Sequence, residues 1–342
     1  MPRLSSASMK SLLKWLGWAT AVLVLAAGAA GGWAAWWLQQ PLPLAADSVE
    51  LSVGSGATPR DIAQGWVQAG VQTSPRWLYE WFRWSGKARQ IKAGSYEIER
   101  GITPQGLLDK MVRGDETFAT VRLIEGWTFR QFRAELAKAE SLKPTTAEMS
   151  DAQIMAAIGV PEVAAEGRFH PDTYAYSKGS ADLAVLKRAY RAMQSRLAEA
   201  WAQRAPDTPL RNSDEALILA SIIEKETGAA SERGRVGSVF VNRLRIGMPL
   251  QTDPTVIYGL GESFDGNLRK RDLLADTPYN TYTRGGLPPT PISMPGKASL
   301  LAAVRPDASK ALYFVARGDG TSQFSETLAE HNRAVNKYQR GR

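Results

Sequence analysis

Two glutamates, Glu224 and Glu226, close the string "NSDEALILASIIEKETGAA" at residues 212–230. From Ala216 to Ile223 that string is apolar apart from Ser221. A helix greasy on every face belongs in the core of its domain, so carboxylates at its end need a reason. Residues two apart on a helix lie about 200° apart and cannot share one pocket. One glutamate is therefore expected to be a structural acid, paired with Lys225, Arg233 or Arg235, while the other faces a cleft. Glu226 falls in the last turn, where the negative end of the helix dipole disfavours ionisation, and burial raises a carboxyl pKa further. A carboxylic acid kept protonated near neutral pH is what general acid catalysis requires. Glu226 is the candidate acid and Glu224 its rival.

The surrounding elements must hold that helix end in place. Asn212 and Glu215 have the spacing of a capping box, and Gly228 stands where a C′ glycine would end the helix. "SERGRVGSVFVNRLRIGM" predicts a second helix ending at Gly247. "PLQTDPTVIYGLG" reads as a loop and turn carrying Gln251, Thr252, Asp253 and Thr255, and "TPYNTYTRGGLPPTPISMPG" as a proline-rich extended segment. Long ordered loops of this kind commonly build a binding groove.

Upstream, "VELSVGSGATPRDIAQGWVQAG" predicts a strand, a turn and a helix with Thr58 as N-cap, Pro59 at N1 and Gly70 as the stop. "SPRWLYEWFRWSG" predicts an aromatic-rich helix, and "AGSYEIERGITPQGLLDKMVRGD" a strand and a helix capped at Gly114. Trp77, Tyr79, Trp81, Phe82 and Trp84 invite a sugar-stacking reading, but five rings in eight residues cannot all face one groove; most are expected in packing. "VRLIEGWTFRQFRAELAKA" gives a strand, a turn at Gly126 and a helix capped by Thr128; "SDAQIMAAIGV" gives a short helix. The knot "EGRFHPDTYAY" precedes a long helix from Asp182 to about Arg204.

Composition narrows the chemistry. The chain has 342 residues, 22% charged and 44% hydrophobic, as a globular protein does. With no cysteine, disulfides, thiolate nucleophiles and Cys-ligated metals are excluded. Two histidines, His170 and His331, leave little for a His-rich zinc site or a Ser-His-Asp triad. The net charge of +8 suits an anionic environment such as a lipid surface or a carboxylate-rich cell wall, although excess basic residues also simply solvate a surface.

The N-terminus predicts where this happens. Trp15 to Leu38 is 24 residues without a charge, about 36 Å as a helix and enough to cross a hydrocarbon core of about 30 Å. Arg3, Lys10 and Lys14 precede it, and the next basic residue is Arg60. The positive-inside rule then puts residues 1–14 in the cytoplasm and everything after the span outside. Trp15 and Trp18 mark one interface, Trp33, Trp36 and Trp37 the other. A cleaved signal peptide with its site near Ala27-Gly28-Ala29 is the competing reading, but it would leave an exposed greasy terminus. Residues 39–47 form a short linker with two prolines.

"ASIIEKET", "SVFVNRLRIGMPLQTDPTVIYGLG", "YNTYTRGGLPPTPISMPG", "LIEGWTFRQ" and "EGRFHPDTY" together resemble the endolytic murein transglycosylases of the MltG (YceG-like) family, over nearly the whole chain. The resemblance implies an α+β fold: a single N-terminal transmembrane helix, a small LysM-like α/β subdomain at 48–120, and a mixed α+β catalytic domain at 121–342 with a central buried helix. It implies a lyase of the inner membrane, its body in the periplasm, cutting peptidoglycan glycan strands internally and leaving 1,6-anhydro-N-acetylmuramic ends. It also assigns catalysis to the second glutamate of E-K-E-T, Glu226, with the hydroxyl residue Thr227 next to it. His170 departs from the pattern, standing where a related sequence has tryptophan. Gln251, Asp253 and Asn280 are expected to hold sugar hydroxyls and N-acetyl groups or to orient the acid; for Asp253 an Asx-turn ahead of Pro254 is the alternative. Tyr258 and Tyr282 are candidate stacking rings, with core packing the alternative for each. No metal or cofactor is required, nucleic acid is not an expected partner, and peptidoglycan synthases are candidate partners. A non-catalytic peptidoglycan-binding scaffold is the second function class.

Overall fold

The computed structural model describes residues 6–341, which divide into two compact units. The first runs to Phe118 and takes in Ser177–Gly179; the second comprises Ala119–Tyr176 and Ser180 onward. Arg3, expected on the cytoplasmic side, lies outside the described residues.

In the first unit the apolar stretch is one helix, α1 (Ser6–Trp37). Trp18–Trp37 within it is long and apolar enough to cross a membrane, and Val22, Leu23, Val24 and Leu25 are all exposed, which is the surface a lipid-facing helix presents. The linker is not a free tether. Leu42 is buried, its N–H donates to Ile102 O, and neighbouring backbone bonds join Ala45 to Gly70 and Gln72 to Pro43.

Strand β1 (Ser48–Val53) pairs antiparallel with β2 (Gly94–Glu99), Ser48 opposite Glu99. Between them lie α2 (Pro59–Ala69) and α3 (Pro75–Trp84), and after them α4 (Pro104–Arg113). Thr58 and Asp61 form a full capping box at α2, and Gly114 closes α4 at φ 75°, a conformation that favours glycine. Trp66, Leu78, Phe82, Tyr96, Leu107 and Met111 form the core. The excursion at Ser177–Gly179, which the sequence pattern did not reveal, is held by polar bonds. Ser177 donates to Glu116, Lys178 pairs with Glu50 at 2.8 Å, and the Lys178 carbonyl accepts from Ser52 and Ser95.

The second unit is mostly helical. β3 (Phe118–Arg122) pairs with β4 (Thr173–Ser177). The helices α5 (Phe129–Lys138), α6 (Asp151–Ile158) and α7 (Asp182–Ala202) enclose a core around Phe132, Ile154, Phe169 and Leu186. β4 lies inside the aromatic knot, where the tyrosines of "DTYAY" alternate inward: Tyr174 and Tyr176 are buried, Ala175 exposed.

A second core surrounds α8 (Ser213–Glu226), packed by α7, α9 (Arg233–Arg245), α10 (Asp253–Leu260) and α12 (Lys297–Val304). α11 (Lys270–Leu274) sits on the loop between α10 and α12. β5 (Tyr313–Ala316) and β6 (Ser322–Ser325) form a hairpin, and α13 (Leu328–Gln339) ends the described chain. α9 and α12 touch so closely at Gly237 that a Cβ there would lie 2.5 Å from the Ala302 carbonyl oxygen; only glycine permits this crossing.

Three local expectations are corrected. α10 is a helix where a loop and turn were expected, because Asp253 and Pro254 occupy its first turn and proline's fixed φ suits that turn. Asn212 accepts from the Glu215 N–H, but Glu215 reaches past it to the Arg211 N–H, so the capping box is half formed. Gly228 is not left-handed: α8 ends instead at Thr227, whose N–H and hydroxyl both donate to Ile223 O.

Candidate active site

The structure separates the two glutamates by partner. Glu224 is 7% exposed at its side chain and is fully engaged: it accepts from the Gly296 N–H at 2.9 Å and Ser299 Oγ at 2.7 Å, and lies 3.5 Å from Arg233 Nη2. It pins the start of α12 to the end of α8. Across this contact lies Glu125, whose carboxyl pKa is raised first by burial and then by the Glu224 charge, against the pull of Arg233. Glu224 is thus the structural acid of the pair.

Glu226 points elsewhere. Its carboxyl accepts a hydrogen bond at Oε1 from Thr252 Oγ1. Burial pushes the Glu226 pKa up and the Asp253 charge adds to the rise, while the Thr252 bond and the Arg243 guanidinium oppose it. An Oε1 already held by a hydroxyl donor leaves Oε2 to carry the proton. The acid is half-buried, raised in pKa and oriented.

Behind Thr252 stands a small hydroxyl network. The Thr252 N–H donates to Thr281 Oγ1 at 3.1 Å, Thr255 Oγ1 donates to the Thr252 carbonyl at 2.8 Å, and the two threonine hydroxyls are 2.9 Å apart. With the Thr255 proton committed to that carbonyl, Thr281 must donate to Thr255, so every group is satisfied in one arrangement. Gln251 N–H also bonds Thr281 O, and Gln251 takes a left-handed φ of 50° at the entrance of this turn. A left-handed non-glycine residue carries strain, which clusters at functional sites.

Arg243 supplies the buried positive charge of the site. It is 8% exposed, with Nε donating to Leu312 O at 2.7 Å and Nη1 to Leu250 O at 2.7 Å. It therefore fastens Leu312, the residue before β5, to the loop that presents Thr252.

The other expected site residues are distributed unevenly. Asp253 accepts from Tyr282 OH at 2.6 Å, so these two meet near the acid, and Asp253 sits in the first turn of α10 instead of an Asx-turn. Gln251 is exposed beside them. Asn280 is a correction: it is fully buried, donates to the carbonyls of Asp272, Leu273 and Ala275, and accepts from Tyr282 N–H. Sealed from solvent, its amide cannot reach a sugar; it caps α11 and shapes the loop. Thr227 likewise spends its hydroxyl on the helix end. Tyr258 packs against Tyr279 with centroids 5.0 Å apart and donates to Glu166 at 3.2 Å. His170 is buried, which lowers its pKa.

Thr252 and Arg243 act on the acid in roles the sequence did not show, and Glu166 stands out at a separate cavity. Arg243 had a signal: with Val236 and Phe240 it falls on the buried stripe of α9, where an arginine is out of place. Glu166 accepts from the Phe129 N–H at the start of α5 and lines a cavity of about 790 Å³ with Tyr258, Tyr279 and Phe264. Burial pushes its carboxyl up to about 7 against the backbone and Tyr258 hydrogen bonds. Glu226 is not among that cavity's lining residues.

A mixed helical body with a carboxyl of raised pKa at the end of a buried helix carries a candidate general acid. The YceG-like family model matches residues 51–337, and the chain belongs to that family. It is 30% identical to an endolytic murein transglycosylase of Bacillus subtilis (strain 168) over 308 residues, 85% of each chain. It is 23% identical to one from Streptococcus pneumoniae (strain D39) over 334 residues, 87% of this chain and 60% of that longer relative. A crystal structure of a YceG-like protein from Listeria monocytogenes superposes with a TM-score of 0.52 at 28% identity, covering 84% of this chain and 98% of that one.

Proposed function

We propose that this protein is an endolytic murein transglycosylase, a lyase that cuts peptidoglycan glycan strands internally. The observation that carries the reading is the Glu226 carboxyl, raised in pKa by burial and held at Oε1 by Thr252. The names of the family's relatives agree with it.

An ordinary glycosidase needs an acid and a second carboxylate as base or nucleophile. Glu224 cannot be that second group, because Gly296, Ser299 and Arg233 occupy it. In the proposed reaction the proton on Oε2 of Glu226 passes to the glycosidic oxygen as the bond from C1 of the muramic residue breaks. The oxocarbenium-like centre is then captured by the same sugar's C6 hydroxyl, and Glu226, now ionised, takes the hydroxyl proton. One bond is exchanged for another, and the acid is regenerated. Intramolecular capture gains from proximity and needs no activated water. Gln251, Asp253 and Tyr282, grouped around the acid, are the proposed contacts to sugar hydroxyls.

The chain is proposed to sit in the inner membrane on α1, with residues 1–14 cytoplasmic and the body in the periplasm; the basic residues before the span and their lack until Arg60 support this orientation. Residues 48–120 are proposed as a LysM-like module, supported by their own closed core. Synthases of the same polymer are proposed as partners on the grounds of a shared substrate.

The test is direct. The full chain, in detergent or nanodiscs, is incubated with isolated murein and the products are read by mass spectrometry. The wild type is expected to yield 1,6-anhydro-muramic ends within strands, and Glu226→Gln none. Murein binding without such ends in the wild type would replace this reading with the scaffold.

A further inference from the structure

The aromatic helix α3 has a use that glycan cleavage does not absorb. Its inner face buries Leu78 and Phe82, and Trp81 Nε1 donates to Pro104 O at 3.0 Å. Its outer face carries Trp77, Glu80 and Trp84 in one stripe, two turns long, flanked by Arg76 and Arg83. Trp77 is 46% and Trp84 79% exposed. Two large indoles on an exposed stripe need a partner, and tryptophan with arginine is the pairing enriched at the bilayer interface.

Trp77 also touches the span. Its ring meets Trp33 edge-on at 5.1 Å and Trp37 at 5.9 Å. Those two residues lie at the end of the membrane-length segment Trp18–Trp37. The bound linker around Leu42 holds this arrangement, leaving no slack between the helix end and the unit's core. Beside the stripe, a cleft of about 760 Å³ is lined by Arg60, Arg83, Arg89 and Tyr79, with no carboxylate among its lining residues.

We propose that α3 lies on the bilayer surface from which α1 emerges, Trp77 and Trp84 entering the headgroup layer and the Arg60–Arg83–Arg89 cleft receiving the phosphate of an anionic phospholipid. The inference rests on reading α1 as a membrane span. It makes the first unit a body seated on the membrane, with its orientation set by two contacts instead of one. A glycan stacked on the same indoles is the competing occupant, but the edge contacts of Trp77 with Trp33 and Trp37 tie the stripe to the membrane-length helix.

The absence of cysteine allows single-site probes in the full chain. Arg76→Cys on the stripe and Ala26→Cys within the span are each labelled with an environment-sensitive dye and reconstituted in nanodiscs. The discs contain lipids with a quencher either near the headgroup or deep in the acyl chain. The position-76 label is expected to be quenched several-fold more by the shallow quencher than by the deep one, and the position-26 label the reverse. Adding Arg83→Glu and Arg89→Glu is expected to reduce the shallow quenching by roughly fivefold or more in anionic discs and to leave it unchanged in zwitterionic ones. A position-76 label untouched by lipid while the position-26 label is quenched overturns the proposal and spares the anchor. Lack of quenching at both overturns the anchor and the proposal together. Protection of the position-76 label by soluble glycan fragments, in place of lipid, assigns the stripe to sugar and overturns it as well.

Discussion

Thr252 donates its hydroxyl proton to Oε1 of Glu226, linking the residue ahead of α10 to the last residue of α8. The bond favours the ionised carboxylate, so it works against burial and keeps the acid's pKa from rising further. It also leaves a single oxygen to hold and deliver the proton. Replacing Thr252 by valine removes the donor while keeping the shape. The Glu226 pKa then rises, and the alkaline limb of the pH–rate profile moves to higher pH. The turnover falls by roughly 10-fold or more, because the acid loses its orientation. Thr252→Ser restores both. A valine variant with an unmoved alkaline limb would show that Thr252 is only a packing residue.

The pH dependence of the wild type follows from the same carboxyl. Glu226 must be protonated to start the reaction, and its pKa lies above the ordinary carboxylate value. Activity should therefore be present below that raised value and decline as pH climbs through it. Initial rates on soluble glycan strands across the neutral range check this. A rate that instead rises steadily with pH would mean that the working group acts first as a base.

The two glutamates should respond oppositely to amide substitution. Glu224→Gln strips charge from a cluster that includes Arg233, the Gly296 N–H and Ser299. Breaking such a buried set costs about 2–4 kcal/mol, and rate should be lost only as fold is lost. Glu226→Gln removes a carboxyl that burial disfavours as an anion, so stability should hold or rise while cleavage drops by roughly 10²–10⁴-fold or more. Denaturant titration beside the murein assay separates the pair. Equal destabilisation of both variants would undo the assignment of roles.

Much of this arrangement could be read from the chain before any coordinates. Apolar residues on all faces of 216–223 announced a buried helix, and the expected caps Thr58 and Thr128 are present where α2 and α5 begin. Local signals suffice for such features because they act within one turn. The roles of Thr252 and Asn280 were not legible, since each depends on a partner more than five residues away or on a fold of the loop around it. A threonine beside an aspartate and an asparagine beside a tyrosine look alike in sequence; one meets the acid and the other is sealed under α11. The strands β5 and β6 are four residues each, and β5 (Tyr-Phe-Val-Ala) has no apolar–polar alternation to mark it. The excursion at Ser177–Gly179 is held by Glu50, Ser52, Ser95 and Glu116, residues at least 61 positions distant.

Glu166 gives a prediction about stability instead of rate. Its carboxyl is pushed up to about 7 from an ordinary 4.5. Because the folded value is the higher one, the folded state holds the proton more tightly than the unfolded chain does. That contribution is complete below about pH 4.5, and it is lost as pH rises through the interval up to about 7. At about 1.4 kcal/mol per unit, the change amounts to roughly 3 kcal/mol. Glu166→Gln cannot ionise, yet its side-chain oxygen can still accept from the Phe129 N–H. The wild type should lose stability relative to this variant as pH rises from 4.5 to about 7, and urea titrations at both ends of that range measure the difference. Other raised carboxyls, Glu125 and Glu226, change with pH in the same sense in both proteins and cancel in the comparison. Parallel stability curves would place the Glu166 carboxyl in ordinary contact with water, and the cavity beside Tyr258 would then be a wet one.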